Sequence, residues 1–74
     1  MTKSKFQLIW YSKEKEVISC DETNKVLNEN YDEIKILIQN AFDDAVLIGC
    51  DEKDFKEKIQ NLIKNIEFSL GKNN

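Results

Sequence analysis

Residues 45–55 read Ala-Val-Leu-Ile-Gly-Cys-Asp-Glu-Lys-Asp-Phe and carry the signals of one helix end and one helix start. Gly49 suits the left-handed position that follows the last turn of a helix, and Cys50 suits the small apolar position after it. Asp51 is a good N-cap for a second helix, with Asp54 at the third helical position as an acidic variant of the capping box. One short turn therefore closes one helix and opens the next, which predicts an αα-hairpin.

The first helix of this hairpin is predicted over residues 30–48. Asn30 is a suitable N-cap, Glu33 completes a capping box, and most of the apolar residues that follow fall on one broad side. A short buried strand over residues 45–48 is the alternative, because Val-Leu-Ile before a glycine also fits a strand. The second helix is predicted over residues 51–70, where apolar residues share one side and a glycine follows the last turn.

The N-terminal part of the chain carries the pattern of strands. Residues 6–11 are rich in aromatic and aliphatic residues, with Phe6, Leu8 and Trp10 in period-two alternation, and residues 16–20 are predicted to supply a second short strand. They predict a β-hairpin over residues 5–20, followed by a polar loop over residues 21–28. The predicted fold class is therefore α+β, a single small domain over residues 1–74 in which an N-terminal β-hairpin packs on a C-terminal αα-hairpin (ββαα) in two layers.

The composition excludes most catalytic chemistry. The 74 residues include no His, no Arg and no Pro, so the usual general base and the commonest metal ligand are missing. The chain is not expected to be an enzyme, and no catalytic residue, metal site or cofactor is predicted. Cys20 and Cys50 have no CxxC spacing and are expected to be small buried residues in a reducing compartment. No apolar run approaches the roughly 20 residues of a membrane span, so the expected location is cytoplasmic, with no membrane partner.

The distribution of charge suggests the kind of partner. The net charge is −3, and residues 16–54 carry eleven acidic residues against three lysines. An acidic surface repels nucleic acid and favours a basic protein surface. Ile36 and Leu47 fall on the side of the first helix opposite its apolar arc, among acids, and the alternative is that the β-hairpin covers them. The predicted partner-binding residues are this pair and its polar neighbours: Asp32, Glu33, Ile36, Asn40, Asp43, Asp44 and Leu47.

These features predict a non-catalytic protein-binding module. In its size and its Lys-, Ile- and Asn-rich composition the chain resembles small phage or mobile-element inhibitors such as anti-CRISPR proteins, a resemblance that rests on no motif and transfers no residue. One alternative is a small regulatory or accessory subunit that forms a homodimer by strand addition at the hairpin edge. A second is a weak single-stranded nucleic-acid binder that uses the lysines and aromatics of the hairpin, namely Lys3, Lys5, Phe6, Trp10, Tyr11, Lys13 and Lys15.

Overall fold

The computed structural model of the protein describes residues 8–70, which contain two α-helices joined by a short turn. Helix α1 spans Asp21–Leu47 and helix α2 spans Glu52–Lys64. The chain divides into two compact units, Met1–Leu37 and Ile38–Asn74. That the 74 residues form a single domain stays a prediction.

The predicted α+β fold class is wrong, because the part of the chain that the structure describes contains no strand. Its β pairing is limited to one isolated antiparallel bridge between Tyr11 and Val17. The β-hairpin predicted over residues 5–20 is therefore not formed as a pair of strands, and residues 5–7 of that prediction lie outside the described residues. The result is a helical hairpin preceded by an irregular segment.

The irregular segment of the first unit nevertheless reverses direction. The Ser12 N–H donates to the Glu16 carbonyl at 2.8 Å, and the Ile18 N–H donates to the Trp10 carbonyl at 2.9 Å. Lys15 takes the left-handed conformation that the tight turn requires, with φ of 69°. The pairing stops at Ile18 because the chain enters α1 shortly afterwards, which leaves no room for a longer ladder.

Side chains hold this segment against the first half of α1. The Trp10 Nε1–H donates to Asn28 Oδ1 at 2.7 Å, and the Trp10 ring meets the Tyr31 ring in an edge arrangement with 6.2 Å between centroids. Asn24 adds a second link, because its Nδ2 donates to the Ile18 carbonyl at 2.9 Å. These contacts take the place of the sheet hydrogen bonds that the alternating pattern predicted.

Helix α1 begins at Asp21, so the loop predicted over residues 21–28 is wrong. Asn30 and Glu33, predicted as an N-cap and its capping-box partner, lie inside the helix. Polar residues over 21–28 do not exclude a helix, because Glu, Lys and Leu are good helix formers and a polar helix face can lie in solvent. Asp21 and Glu22 occupy the first turn, where their negative charges complement the helix dipole.

In the second unit, α1 closes as predicted. The Gly49 N–H donates to the Val46 carbonyl at 3.1 Å and the Cys50 N–H donates to the Ala45 carbonyl at 2.8 Å, which are the two hydrogen bonds of a Schellman motif. Gly49 has φ of 99°, in the region that favours glycine. The helical interpretation is confirmed up to Leu47, and the strand alternative for this stretch is wrong.

The start of α2 also follows the prediction. The Asp51 carboxylate accepts the Asp54 backbone N–H at 2.8 Å and so acts as the N-cap. The Asp54 side chain instead binds Lys58, whose Nζ lies 2.8 and 2.9 Å from its two oxygens. Across the turn, the Phe42 and Phe55 rings meet edge on with centroids 5.6 Å apart. The turn is therefore held by two helix caps and one aromatic pair.

Helix α2 is shorter than the predicted range of residues 51–70, because it ends at Lys64. The Asn65 side chain donates from Nδ2 to the Asn61 carbonyl at 3.0 Å, which occupies an acceptor at the end of the helix. The Ile66 N–H then bonds the Ile63 carbonyl at 3.2 Å, a tighter i to i−3 contact typical of a helix end. The β-branched, aromatic and serine residues that follow are weak helix formers.

None of the side chains in residues 8–70 is fully buried. Cys20 and Cys50 are free and exposed, so the prediction that they are buried is wrong. Neither helix has a stretch long and apolar enough to cross a membrane, as far as the described residues go. The half-buried apolar residues are Leu8, Trp10, Ile18 and Leu27 in the first unit, and Ile38, Phe42, Ala45, Phe55 and Ile59 in the second.

Candidate protein-binding surface

All seven predicted partner-binding residues lie on α1 and are exposed. Ile36 is 61% exposed and Leu47 is 83% exposed, so the alternative that a β-hairpin covers them is wrong. The residues are shared between the two units. Asp32, Glu33 and Ile36 belong to the first, and the second contains Asn40, Asp43, Asp44 and Leu47.

The four residues Asp43, Asp44, Leu47 and Ile48 lie at the C-terminal end of α1 and are called the acidic end here. Asp44 lies in the last helical turn, and that turn contains no basic residue. The C-terminus of a helix carries a partial negative charge from its free carbonyl groups, so carboxylates are unfavourable there. Helix stability alone therefore does not explain these acids, and together with the carbonyls they concentrate negative potential.

Asp43 is held in place by its own helix. The Gln39 side chain donates from Nε2 to Asp43 Oδ1 at 3.0 Å, one turn earlier. A neutral amide donor orients the carboxylate without cancelling its charge. The oriented carboxylate thus keeps its negative charge for an outside partner.

Two large aliphatic side chains stand beside these carboxylates. Leu47 and Ile48 are 83% and 84% exposed, and the Gly49 turn directs the chain away immediately after them. Ile48 is not among the predicted partner-binding residues. Helical periodicity has no meaning for a residue beyond the helix end, and the glycine that marks that end was the available signal.

Two nearby lysines of α2 have partners within the unit. Lys56 Nζ lies 5.3 Å from the centroid of the Phe42 ring, a cation–π contact. Lys58 binds Asp54, and that carboxylate raises the pKa of the lysine by accepting its hydrogen bond and by its charge. The partners of these two lysines, Phe42 and Asp54, are not residues of the acidic end.

Four of the seven residues predicted to bind nucleic acid, namely Trp10, Tyr11, Lys13 and Lys15, lie in the described part of the chain. Trp10 is half-buried and its indole is bonded to Asn28, so the ring is engaged in packing. Lys13 and Lys15 are exposed in the turn. Lys3, Lys5 and Phe6 lie outside the described residues.

Cys20 immediately precedes α1, and hydrogen bonds from its neighbours change the pKa of its thiol. The Thr23 hydroxyl, followed by the backbone N–H groups of Thr23 and Glu22, hydrogen-bonds to its sulfur and lowers the pKa of the thiol.

Among the residues described, no three His, Cys, Asp or Glu side chains are grouped so as to hold a metal ion. The chemistry that this arrangement supports is charge and apolar contact.

Comparison with known proteins gives no assignment, since no family model, curated protein or solved structure matches the chain.

Proposed function

We propose that this chain is a non-catalytic protein-binding module whose acidic end docks into a basic cleft of a partner protein. The observation that carries the proposal is the exposure of Leu47 and Ile48 beside Asp43 and Asp44 at a helix end. Apolar residues at the centre of a patch with charges at its rim are the usual anatomy of a protein interface. The proposed mode of action is inhibition by occupying that cleft.

The two kinds of side chain have different tasks in this proposal. The carboxylates and the helix dipole attract a basic surface, which speeds association and makes it sensitive to salt. Leu47 and Ile48 lose their hydrating water on docking. Burying such a side chain contributes about 1.5–3 kcal/mol to the free energy of binding, which slows dissociation. The charges therefore control the association rate and the aliphatic anchors control the lifetime of the complex.

The test begins with the Asp43→Lys/Asp44→Lys variant. The chain is used to capture its partner, the captured protein is purified, and association is measured by surface plasmon resonance at several salt concentrations. The association rate should fall at least about tenfold in the variant and should lose most of its salt dependence. Leu47→Gln should leave association nearly unchanged and raise the dissociation rate.

The matched control is Glu14→Lys/Glu16→Lys, which changes the net charge equally in an exposed turn of the other unit. It should bind almost as the unmodified chain does. Asp44→Lys by itself should raise thermal stability, since a cation at a helix C-terminus contributes about 0.3–1 kcal/mol. Equal loss of binding in both double variants would show that only the total charge matters, and the proposed surface would be wrong.

A further inference from the structure

Residues 8–18 of the first unit fold into a tight turn, called the N-terminal latch here. The Ser12 N–H donates to the Glu16 carbonyl. The Ile18 N–H donates to the Trp10 carbonyl and closes the turn further out. The Ser12 hydroxyl oxygen also accepts the Glu16 N–H at 3.3 Å. The backbone of the latch is therefore held by hydrogen bonds of its own.

The latch is fastened to one side of α1. Asn24, Asn28 and Tyr31 follow the spacing i, i+4, i+7, which places them on one line of the helix. Asn24 donates to the Ile18 carbonyl, at the end of the latch. Near its start, the Trp10 indole bonds Asn28 and meets the Tyr31 ring. Both ends of the latch are thus attached to the same line of α1, within the first unit.

The latch cannot keep its shape without α1. A hairpin that packs on nothing else is at best marginally stable in water, and residues 8–18 contain a single bridge, between Tyr11 and Val17. The apolar side chains of Leu8, Trp10 and Ile18 are only half-buried, even with the latch in place on the helix. Detachment from α1 and loss of the turn must therefore occur together, in one step.

The turn of the latch contains one strained residue. Lys15 has φ of 69°, a left-handed conformation that is unfavourable for a residue with a side chain. A residue keeps such a conformation only where the surrounding structure holds it there. Loss of the turn removes that restraint and lets Lys15 relax. The strain therefore favours the open latch, whereas the contacts with α1 favour the closed one.

We propose that the N-terminal latch is a two-state device, which opens and closes on α1 as one cooperative unit. A segment with exposed backbone hydrogen bonds and half-buried side chains belongs to the least stable part of a protein, so it opens before the helices unfold. Opening frees the Trp10 and Tyr31 rings and the Asn28 amide. The latch thereby controls access to this side of α1, independently of the acidic end.

The first experiment breaks the fastening at a position remote from the turn. In the full chain, Asn28→Ala removes the acceptor of the indole, and amide hydrogen exchange is followed by nuclear magnetic resonance. Exchange at the Ser12, Lys15 and Ile18 N–H groups should become faster by one common factor of about 3–10, the effect of one lost hydrogen bond. The matched control is Asn30→Ala, the same change at an exposed position of α1, which should leave the three rates unchanged.

The second experiment relieves the strain. Lys15→Gly should slow exchange at the Ser12 and Ile18 N–H groups by about 2–5-fold, because glycine adopts positive φ freely and this gain exceeds the extra freedom of the open chain. The matched control is Lys13→Gly, which removes the same charge from the same turn at a residue without positive φ. It should make exchange faster, since it only loosens the open chain.

Quenching of Trp10 fluorescence by acrylamide gives a second measurement of the same opening. Quenching should increase in Asn28→Ala and decrease in Lys15→Gly, although position 15 lies in the turn and not at the fastening. Faster exchange confined to Ile18 in Asn28→Ala would show that the turn and the fastening open separately, and would overturn the proposal. Changes of the same sign in the two lysine variants would overturn it as well.

Discussion

The conformation of Gly49 allows a sharp test of the turn between the helices. With φ of 99°, Gly49 lies where L-residues are strained, and a Cβ added to it meets no other atom within 4 Å. Any loss of stability on substitution by L-alanine must therefore come from the backbone and not from a clash. D-alanine is the mirror image and is comfortable at positive φ, so the two alanines form a matched pair.

The expected magnitude follows from two opposing terms. The left-handed conformation costs an L-residue about 1–2 kcal/mol. Either alanine restricts the unfolded chain and so recovers about 0.4–1 kcal/mol. Gly49→Ala should therefore lower the free energy of unfolding by about 1 kcal/mol, whereas D-alanine should raise it by about 0.4–1 kcal/mol. The difference between the two is the strain term, since the effect on the unfolded chain cancels.

Both chains can be made by synthesis, because Gly49 is followed by Cys50 and a peptide bond to cysteine is a natural ligation junction. Thermal unfolding by circular dichroism at one fixed protein concentration gives the comparison. For a chain of this size each kcal/mol moves the midpoint by roughly 4–8 °C. Equal midpoints for the L- and D-alanine chains would show that the turn does not require a left-handed residue at position 49.

Three further predictions concern the N-cap of α2, the Trp10 indole and the Cys20 thiol. Asp51→Ala removes the side-chain acceptor of the α2 N-cap and should lower unfolding free energy by about 1 kcal/mol, measured by denaturant titration; an unchanged value would contradict the cap. Asn28→Ala removes the acceptor of the Trp10 indole and should cost about 1 kcal/mol and change the fluorescence of this single tryptophan; an unaltered spectrum would contradict the hydrogen bond. Because the pKa of Cys20 is lower in the folded chain, unfolding free energy should rise with pH through the thiol titration. In a Cys50→Ser background, the rate of Cys20 alkylation is measured as a function of pH, and Thr23→Val should shift this curve to higher pH. Coincident curves with and without Thr23→Val would show that the Thr23 hydroxyl does not lower the pKa of the thiol.

The candidate surface could be predicted only in part. The spacing of Ile36 and Leu47 on α1 showed that both lie away from the main apolar arc, but it could not show what covers them. Exposure depends on which segments pack nearby, and the structure leaves both residues in water. The same reasoning missed Ile48, whose orientation depends on the turn and not on helical periodicity.

Structure that depends on local interactions could be predicted from the sequence. The Schellman motif at Gly49 and the N-cap at Asp51 involve residues a few positions apart, and they formed as predicted. Glycine at positive φ and a carboxylate before a helix are favoured by steric and hydrogen-bonding preferences that need no other part of the chain.

Longer-range contacts decided the rest. Residues 8–11 and 16–18 belong to the two predicted strands, yet they form a single bridge, because Trp10 bonds Asn28 and packs against Tyr31 on a helix that begins at Asp21. The same chain pattern fits a strand or an extended segment lying on a helix. Only the tertiary structure selects between them, since the free energy of each depends on partners many residues away.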